Sequence, residues 1–281
     1  MTNLLSALTN IQRYKNNDLK KITAVTDPDQ PRINKEGTPF DAYVKDAFCN
    51  SFGIRDPNEK MSTYKRILSH LGSQNHPPDL MIIGGDAIEV KKVKGKGGNS
   101  IALNSSYPKS KLYANSPMLT EECKNCEKWT EKDIAYCVGH VFENKVKLII
   151  FVYGDCYAAS PDVYEAVMRP VVKGIKSMKI KLAKTKELAR LNNVDPLAIT
   201  DLRVRGMWQI VSPRILFADF IKPDLKKNCS VYAIMQKKKF ESFPSTDKQQ
   251  VQKNMQVSDI QIKSPDAPKK LLDCKLISFS F

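Results

Sequence analysis

The sequence predicts an α/β fold, a mixed central sheet flanked by helices, on three observations. Apolar residues recur at helical spacing near the N-terminus and again after the middle of the chain. Apolar runs of strand length, bounded by Gly, Pro or Asn, lie between and beyond them. No stretch rich in Gly, Ser or Pro divides the 281 residues, so 1–281 reads as a single domain carrying insertions, within the size that one core supports.

The elements follow in order. Leu4, Leu5, Leu8 and Ile11 share one face of a helix from Leu4 to Tyr14, and a polar, Pro-containing loop runs from Thr26 to Thr38. Phe40, Tyr43, Val44, Ala47 and Phe48 line one face of a second helix, with Asp41 on a neighbouring stripe. A third helical pattern covers 59–72, and the run Gly72-Ser73-Gln74-Asn75-His76-Pro77-Pro78 stops it. Asp79 to Lys91 reads as two strands around a Gly-Gly turn, and Lys92 to Gly98 as a basic, Gly-rich loop. Ile134–Val141 and Lys145–Tyr153 form a hairpin turning at Glu143-Asn144. Helical patterns return at Pro161–Gly174 and Lys184–Leu191, and 229–236 and 270–281 are late strands.

Composition narrows the function. Gly at 12 and Pro at 16, with no fixed-period self-similarity, exclude collagen, disorder and repeat arrays. The longest clean apolar run, Leu148 to Tyr153, is far short of the roughly 20 residues of a membrane span. The N-terminal Met1-Thr2-Asn3-Leu4-Leu5 lacks the basic and apolar regions of a signal peptide, so export is not expected. Seven scattered cysteines suggest no paired framework, and a reducing cytoplasm fits them. Lys+Arg at 45 against Asp+Glu at 30 leaves a charge of +15, which attracts polyanions, nucleic acid first among them; solvated lysines such as Lys237-Lys238-Lys239 are the plainer account of the same surplus.

The chemistry is concentrated in one hairpin. In Ile88-Glu89-Val90-Lys91 a period of two sends Glu89 and Lys91 to one face and Ile88 and Val90 to the other. With a three-residue loop at Gly84-Gly85-Asp86, Ile83 opposes Ala87, Met81 opposes Glu89 and Asp79 opposes Lys91, so Asp79 joins the same face; a two-residue turn would break the arrangement. Two carboxylates at a strand edge supply hard oxygen ligands for Mg²⁺, whose shell a phosphate can share. Lys91 beside them is placed to orient water and stabilise developing negative charge, which suits phosphodiester hydrolysis. An exposed salt-bridge face is the ordinary alternative for an E-x-K triplet.

Pro78-Asp79 followed by Glu89-Val90-Lys91 resembles the PD-(D/E)xK nuclease motif. Longer strings extend the likeness. Asn75 to Asp79, Gly85 to Lys92, Ala102 to Leu112, Thr185 to Leu188, Val194 to Leu197 and Leu202 to Trp208 together resemble the NgoPII family of type II restriction endonucleases, over about residues 37–210. The resemblance implies a restriction-endonuclease-like core, Mg²⁺-dependent cleavage of double-stranded DNA at GGCC, and a cognate DNA methyltransferase as genetic partner. A palindromic target implies a homodimer, each subunit cutting one strand.

Within that frame Asp79 and Glu89 are the expected Mg²⁺ ligands and Lys91 the catalytic cation. Asp41 corresponds in position to an auxiliary carboxylate that such nucleases carry near the metals, which makes it a third candidate metal residue, or is an acid favoured by the helix dipole. Arg203 and Arg205, on one face of a short strand, carry forks that fit guanine O6 and N7, or else contact phosphate or internal acids. Asn104, Ser105, Ser106, Lys109 and Lys111 follow the expected catalytic strand closely enough to meet DNA phosphates; Lys92, Lys94 and Lys96 line the DNA backbone too or belong to a solvated loop. Asp86 is expected to shape the turn, Trp208 to belong to the core, and His70, His76 and His140 to be structural. Cys123-Lys124-Asn125-Cys126 has no second pair at zinc spacing. A repair or junction nuclease that reads DNA shape, and a DNA-binding module without catalysis, are the alternatives.

Overall fold

The computed structural model describes residues 2–15, 39–73, 76–94, 99–103, 106–116, 118–142, 145–177, 182–185 and 188–281. The expected loop at Thr26–Thr38, the turn at Glu143-Asn144, Lys96, Asn104 and Ser105 lie outside them. The elements are α1 (Leu4–Arg13), α2 (Pro39–Cys49), α3 (Pro57–Ile67), β1 (Leu68–His70), β2 (Leu80–Ile82), β3 (Ala87–Lys94), β4 (Ser100–Ala102), β5 (Lys111–Tyr113), α4 (Glu121–Asn125), β6 (Glu131–Phe142), β7 (Lys145–Tyr153), α5 (Gly154–Tyr157), α6 (Pro161–Ser177), β8 (Ala189–Leu191), β9 (Leu202–Val204), β10 (Gln209–Val211), α7 (Pro213–Leu216), β11 (Ser230–Gln236), α8 (Lys237–Ser242), α9 (Ser245–Asn254), β12 (Gln256–Lys263) and β13 (Leu271–Ser280).

The main sheet runs β1-β2-β3-β6-β7-β11-β13-β12, with β5 added antiparallel to β6. It is mixed, as expected: β3 is parallel to β6 and β7 to β11, and the other neighbours are antiparallel. One face, through Ile88, Val90, Cys137, Phe151 and Val231, packs on α1, α2, α8 and α9. The other, through Ala87, Tyr136, Val138, Ile150 and Ile234, is covered by the β4/β10 pair, by Leu112 of β5 and by the segments around Leu119 and Phe217. Gly139 lets the first layer close on β6, because a Cβ there would meet the Phe40 ring at 2.6 Å.

Three expectations are corrected. The helix begun at 59 ends at Ile67, and Leu68–His70 turns into a strand on β2, where non-local pairing overrides local spacing. β3 continues to Lys94 where a loop was expected, held by eight consecutive pairings with β6. Ala189–Leu191 is a strand against β9, and residues 182–185 and 188 carry no helix, so Lys184–Leu191 is not the helix its spacing suggested. No helix among the described residues is long and apolar enough to cross a membrane.

Candidate active site

The β2–β3 hairpin sets the site, with a different turn from the one expected. Leu80 pairs with Ile88 and Met81 with Ala87, and the Ile82 amide donates to the Asp86 carbonyl at 2.9 Å. The loop is therefore Ile83-Gly84-Gly85, with Gly84 at φ +63°, and the register is displaced by two residues, setting Asp79 across from Glu89 instead of Lys91. A displacement of two preserves side-chain parity, so Asp79, Glu89 and Lys91 still share one face.

A buried lysine paired with a half-buried glutamate clamps that turn. Lys132 Nζ donates to the carbonyls of Gly85 at 2.7 Å and Ile82 at 3.1 Å and meets Glu127 at 2.6 Å. Glu127 in turn accepts from the Gly84 amide at 2.8 Å and the Ser69 hydroxyl at 2.9 Å.

The three groups converge. Lys91 Nζ donates to Glu89 Oε1 at 2.5 Å and lies 3.8 Å from Asp79 Oδ2. Asp79 Oδ2 also accepts from the Val90 amide at 2.6 Å, which fixes the carboxyl on the strand edge. Burial, and next the neighbouring Glu89 charge, push the Asp79 carboxyl up to about 7. Burial works against the Lys91 ammonium, but the charges of Glu89 and Asp79 outweigh it and raise its pKa. Glu89 Oε2 is buried without a hydrogen-bond partner. A lone buried carboxylate oxygen is costly unless something meets it, and with Asp79 it forms a hard oxygen donor pair that fits Mg²⁺. Among the described residues no three His, Cys, Asp or Glu side chains form a ready-made metal cage, Cys123 and Cys126 included. The two carboxylates therefore fit an ion that keeps most of its shell for water and phosphate.

These groups open into a cleft of about 640 Å³ that gathers most of the other candidates: Ser106, Lys109, Arg203 and Arg205 line it with Asp79, Glu89 and Lys91. Lys109 is buried, its amide donates to the Tyr136 hydroxyl at 2.7 Å, and its Nζ sits 4.6 Å over the Tyr107 ring. Tyr136 lies beside Glu89 in the β3–β6 pairing, so the strand next to β3 positions this lysine. Burial lowers the Lys109 ammonium to about 8, against the upward pull of Glu89.

The structure does not bring every candidate into the cleft. Lys92 has the parity of Ile88 and Val90, on the face packed by α2, because adjacent residues of a strand point opposite ways. Lys111 is engaged by Glu131 at 2.7 Å and lies 3.7 Å from Asp133, beside a smaller neighbouring hollow. Asp41 begins α2, near enough for its charge to raise the pKa of both Asp79 and Lys91, without lining the cleft. Asp86 is structural, accepting from Lys239 at 2.7 Å and from the Tyr153 hydroxyl at 2.5 Å. Trp208 is half-buried, edge-on to Tyr107 and Tyr164. His70 and His140 are buried, while His76 lines the cleft.

Arg190 is a cleft residue that sequence reasoning missed. It pairs across strands with Arg203 and meets Asp201 at 2.5 Å. Like charges directly opposite repel in a ribbon, and here Asp201 offsets that repulsion by pairing with Arg190. Placing Arg190 in a helix hid this; the strand pairing is non-local, and no local signal carries it.

Residues 2–266 match the family model described as NgoPII restriction endonuclease. The chain is 42% identical over 252 residues to the type II restriction enzyme NgoPII of Neisseria gonorrhoeae, an alignment that covers 88% of this chain and 90% of that protein. No solved structure matches.

Proposed function

The chain belongs to the NgoPII family of type II restriction endonucleases, and from that premise we propose that it hydrolyses both strands of a GGCC site in double-stranded DNA, with Mg²⁺ as cofactor. The observation that carries the chemistry is the buried, unpartnered Glu89 Oε2 beside Asp79 and Lys91 in a cleft walled by arginines.

In this reading Asp79 and Glu89 hold Mg²⁺, which supplies Lewis acidity toward the scissile phosphate. The two carboxylates keep Lys91 protonated, so it acts as a fixed cation: it orients the attacking water by a hydrogen bond and stabilises negative charge as it develops on the phosphate. Ser106 and Lys109, with Asn104 and Ser105 before them, grip the backbone, and Arg203 and Arg205 address guanine edges in the major groove. A two-fold homodimer matches the palindrome, one cleft to each strand. The enzyme works in the cytoplasm beside a cognate methyltransferase that protects the host's own sites.

The test is cleavage of unmethylated plasmid by the purified protein with Mg²⁺, with the ends sequenced and Glu89→Ala run alongside. Discrete cuts at GGCC that vanish in the variant support the reading. Cuts elsewhere reject the target, and no cleavage by folded protein across varied salt and divalent metals rejects the catalytic reading in favour of a DNA-binding module.

A further inference from the structure

α6 is 17 residues long and none of them is buried. Helical stability in proteins comes mainly from covering an apolar face, and α6 has such a face on each side. Its inner side docks on the cleft wall: Tyr164 stacks on Tyr107 at 5.3 Å, and Glu165 accepts from the Tyr107 hydroxyl at 3.3 Å. The outer side is Val163, Ala166, Val167, Pro170, Val171 and Gly174. At 100° per residue these six span about 140° of the circumference; the one polar residue in that arc is Ser177 at the helix's last position, whose hydroxyl donates back to the Gly174 carbonyl at 2.7 Å. Val163, Val167 and Val171 are 49%, 57% and 44% exposed, and nothing lies within 4 Å of where a Cβ on Gly174 would be.

We propose that this stripe is the surface through which a second copy of the chain docks, α6 against α6, antiparallel about a two-fold axis at Val167. This rests on the homodimer reading and says where the two copies meet. The charges beside the stripe are what select a copy of this chain. Asp162 lies at one end of the flanking row, and Arg169 and Lys173 follow toward the other. Antiparallel pairing about Val167 sets Val163 on the partner's Val171 and brings Asp162 alongside the partner's Lys173. The helix is thus complementary to its own reverse, as an isologous contact requires, and the antiparallel helix dipoles add to the attraction. DNA is a poor occupant, because the stripe offers phosphate no donor. A membrane is another, because the stripe lacks the Trp, Phe and Leu of interfacial helices. Since α6 abuts the cleft wall through Tyr107, a two-fold axis here also sets two clefts side by side, as cutting both strands of one short site demands.

One helix pair covers less than the roughly 800 Å² per partner typical of stable interfaces, so the dimer is expected to strengthen on DNA. The test is sedimentation velocity of the full-length protein, free and on a short GGCC duplex. Val167→Asp, at a half-exposed position outside the cleft, is expected to weaken dimerisation about tenfold or more, since the change is felt twice across the axis. Asp162→Lys is expected to weaken it too, and Asp162→Lys combined with Lys173→Asp to restore it. A dimer unaffected by Val167→Asp overturns the surface while leaving the homodimer reading intact, whether or not the variant melts earlier. A wild type that is monomeric both free and on the duplex overturns both. If Val167→Asp dissociates the dimer but also lowers the melting temperature, the charge-reversal set decides: failure of the double variant to recover the dimer refutes the pairing.

Discussion

Asp79→Asn is expected to make the protein more stable at neutral pH and inactive. The Asp79 carboxyl stands at about 7 against an ordinary 3.8, with burial the main cause and the Glu89 charge next. Between those values the folded protein holds a proton that the unfolded chain has released, so this group's contribution to stability falls as pH rises from about 4 to about 7 and stays low above it. About three pH units at about 1.4 kcal/mol each make an upper bound of about 4 kcal/mol. The side chain is 28% exposed, and solvent screening brings the expected effect to about 2 kcal/mol. Asn never ionises, and its oxygen can still accept from the Val90 amide, so the substitution isolates the charge. The assay is urea unfolding of both proteins at about pH 4 and about pH 8 without divalent metal. The variant should match wild type at the lower pH and exceed it by about 2 kcal/mol at the higher. Added Mg²⁺ should recover stability in wild type alone, by binding the folded state. A variant no more stable than wild type at about pH 8 would refute the reasoning, for it would mean that pairing with Lys91 outweighs burial.

Three further outcomes follow from the same geometry. Lys132→Met removes the ion pair from half-buried Glu127, which keeps the Gly84 amide and the Ser69 hydroxyl, and frees the Gly85 and Ile82 carbonyls, at an expected cost of about 1–3 kcal/mol in chemical denaturation; a loss under about 0.5 kcal/mol would show that the clamp is idle. Lys109 titrates at about 8, protonated below and neutral above, so DNA affinity in a filter or anisotropy assay should weaken as pH rises through that value, and Lys109→Met should remove this component. Arg203→Lys and Arg205→Lys keep the charge but lose the fork; each is expected to reduce discrimination against one substituted base pair by about 1–3 kcal/mol, with a smaller change in non-specific binding. An equal loss on every duplex would make that arginine a phosphate contact.

The β2–β3 hairpin that carries the candidate site was legible because its determinants are local. Ile88-Glu89-Val90-Lys91 fixes two functional side chains on one face by strand period alone, and Asp79 joins them at any register displaced by an even number of residues. This is why the site survives a misplaced turn: the loop is Ile83-Gly84-Gly85, and Asp79 faces Glu89 where Lys91 was expected, on the same side of the sheet. The same parity rule keeps Lys92 out of the cleft: it was grouped with the DNA contacts for its nearness in sequence to Lys91 and falls on the opposite face for that reason.

The walls of the cleft were less legible, since they are made by pairings between distant segments. Arg190 reaches it because Ala189–Leu191 pairs with Leu202–Val204, and Lys109 because Tyr136, on another strand, holds its backbone. α9 escaped for another reason: Val251 is its one buried residue, so it has no apolar stripe to read, although it closes the layer over α1. Lys132 is the sharpest case. In sequence it is one lysine among many in a basic chain, and folded it is a nearly dry cation holding the turn on which Asp79 and Glu89 depend. A surplus of positive charge therefore does not translate directly into DNA affinity: Lys132 and Lys239 are used against internal acids, whereas Lys109 faces the cleft with a tyrosine ring beside it. Which cations reach the cleft is a property of the folded arrangement that the net charge of +15 does not contain.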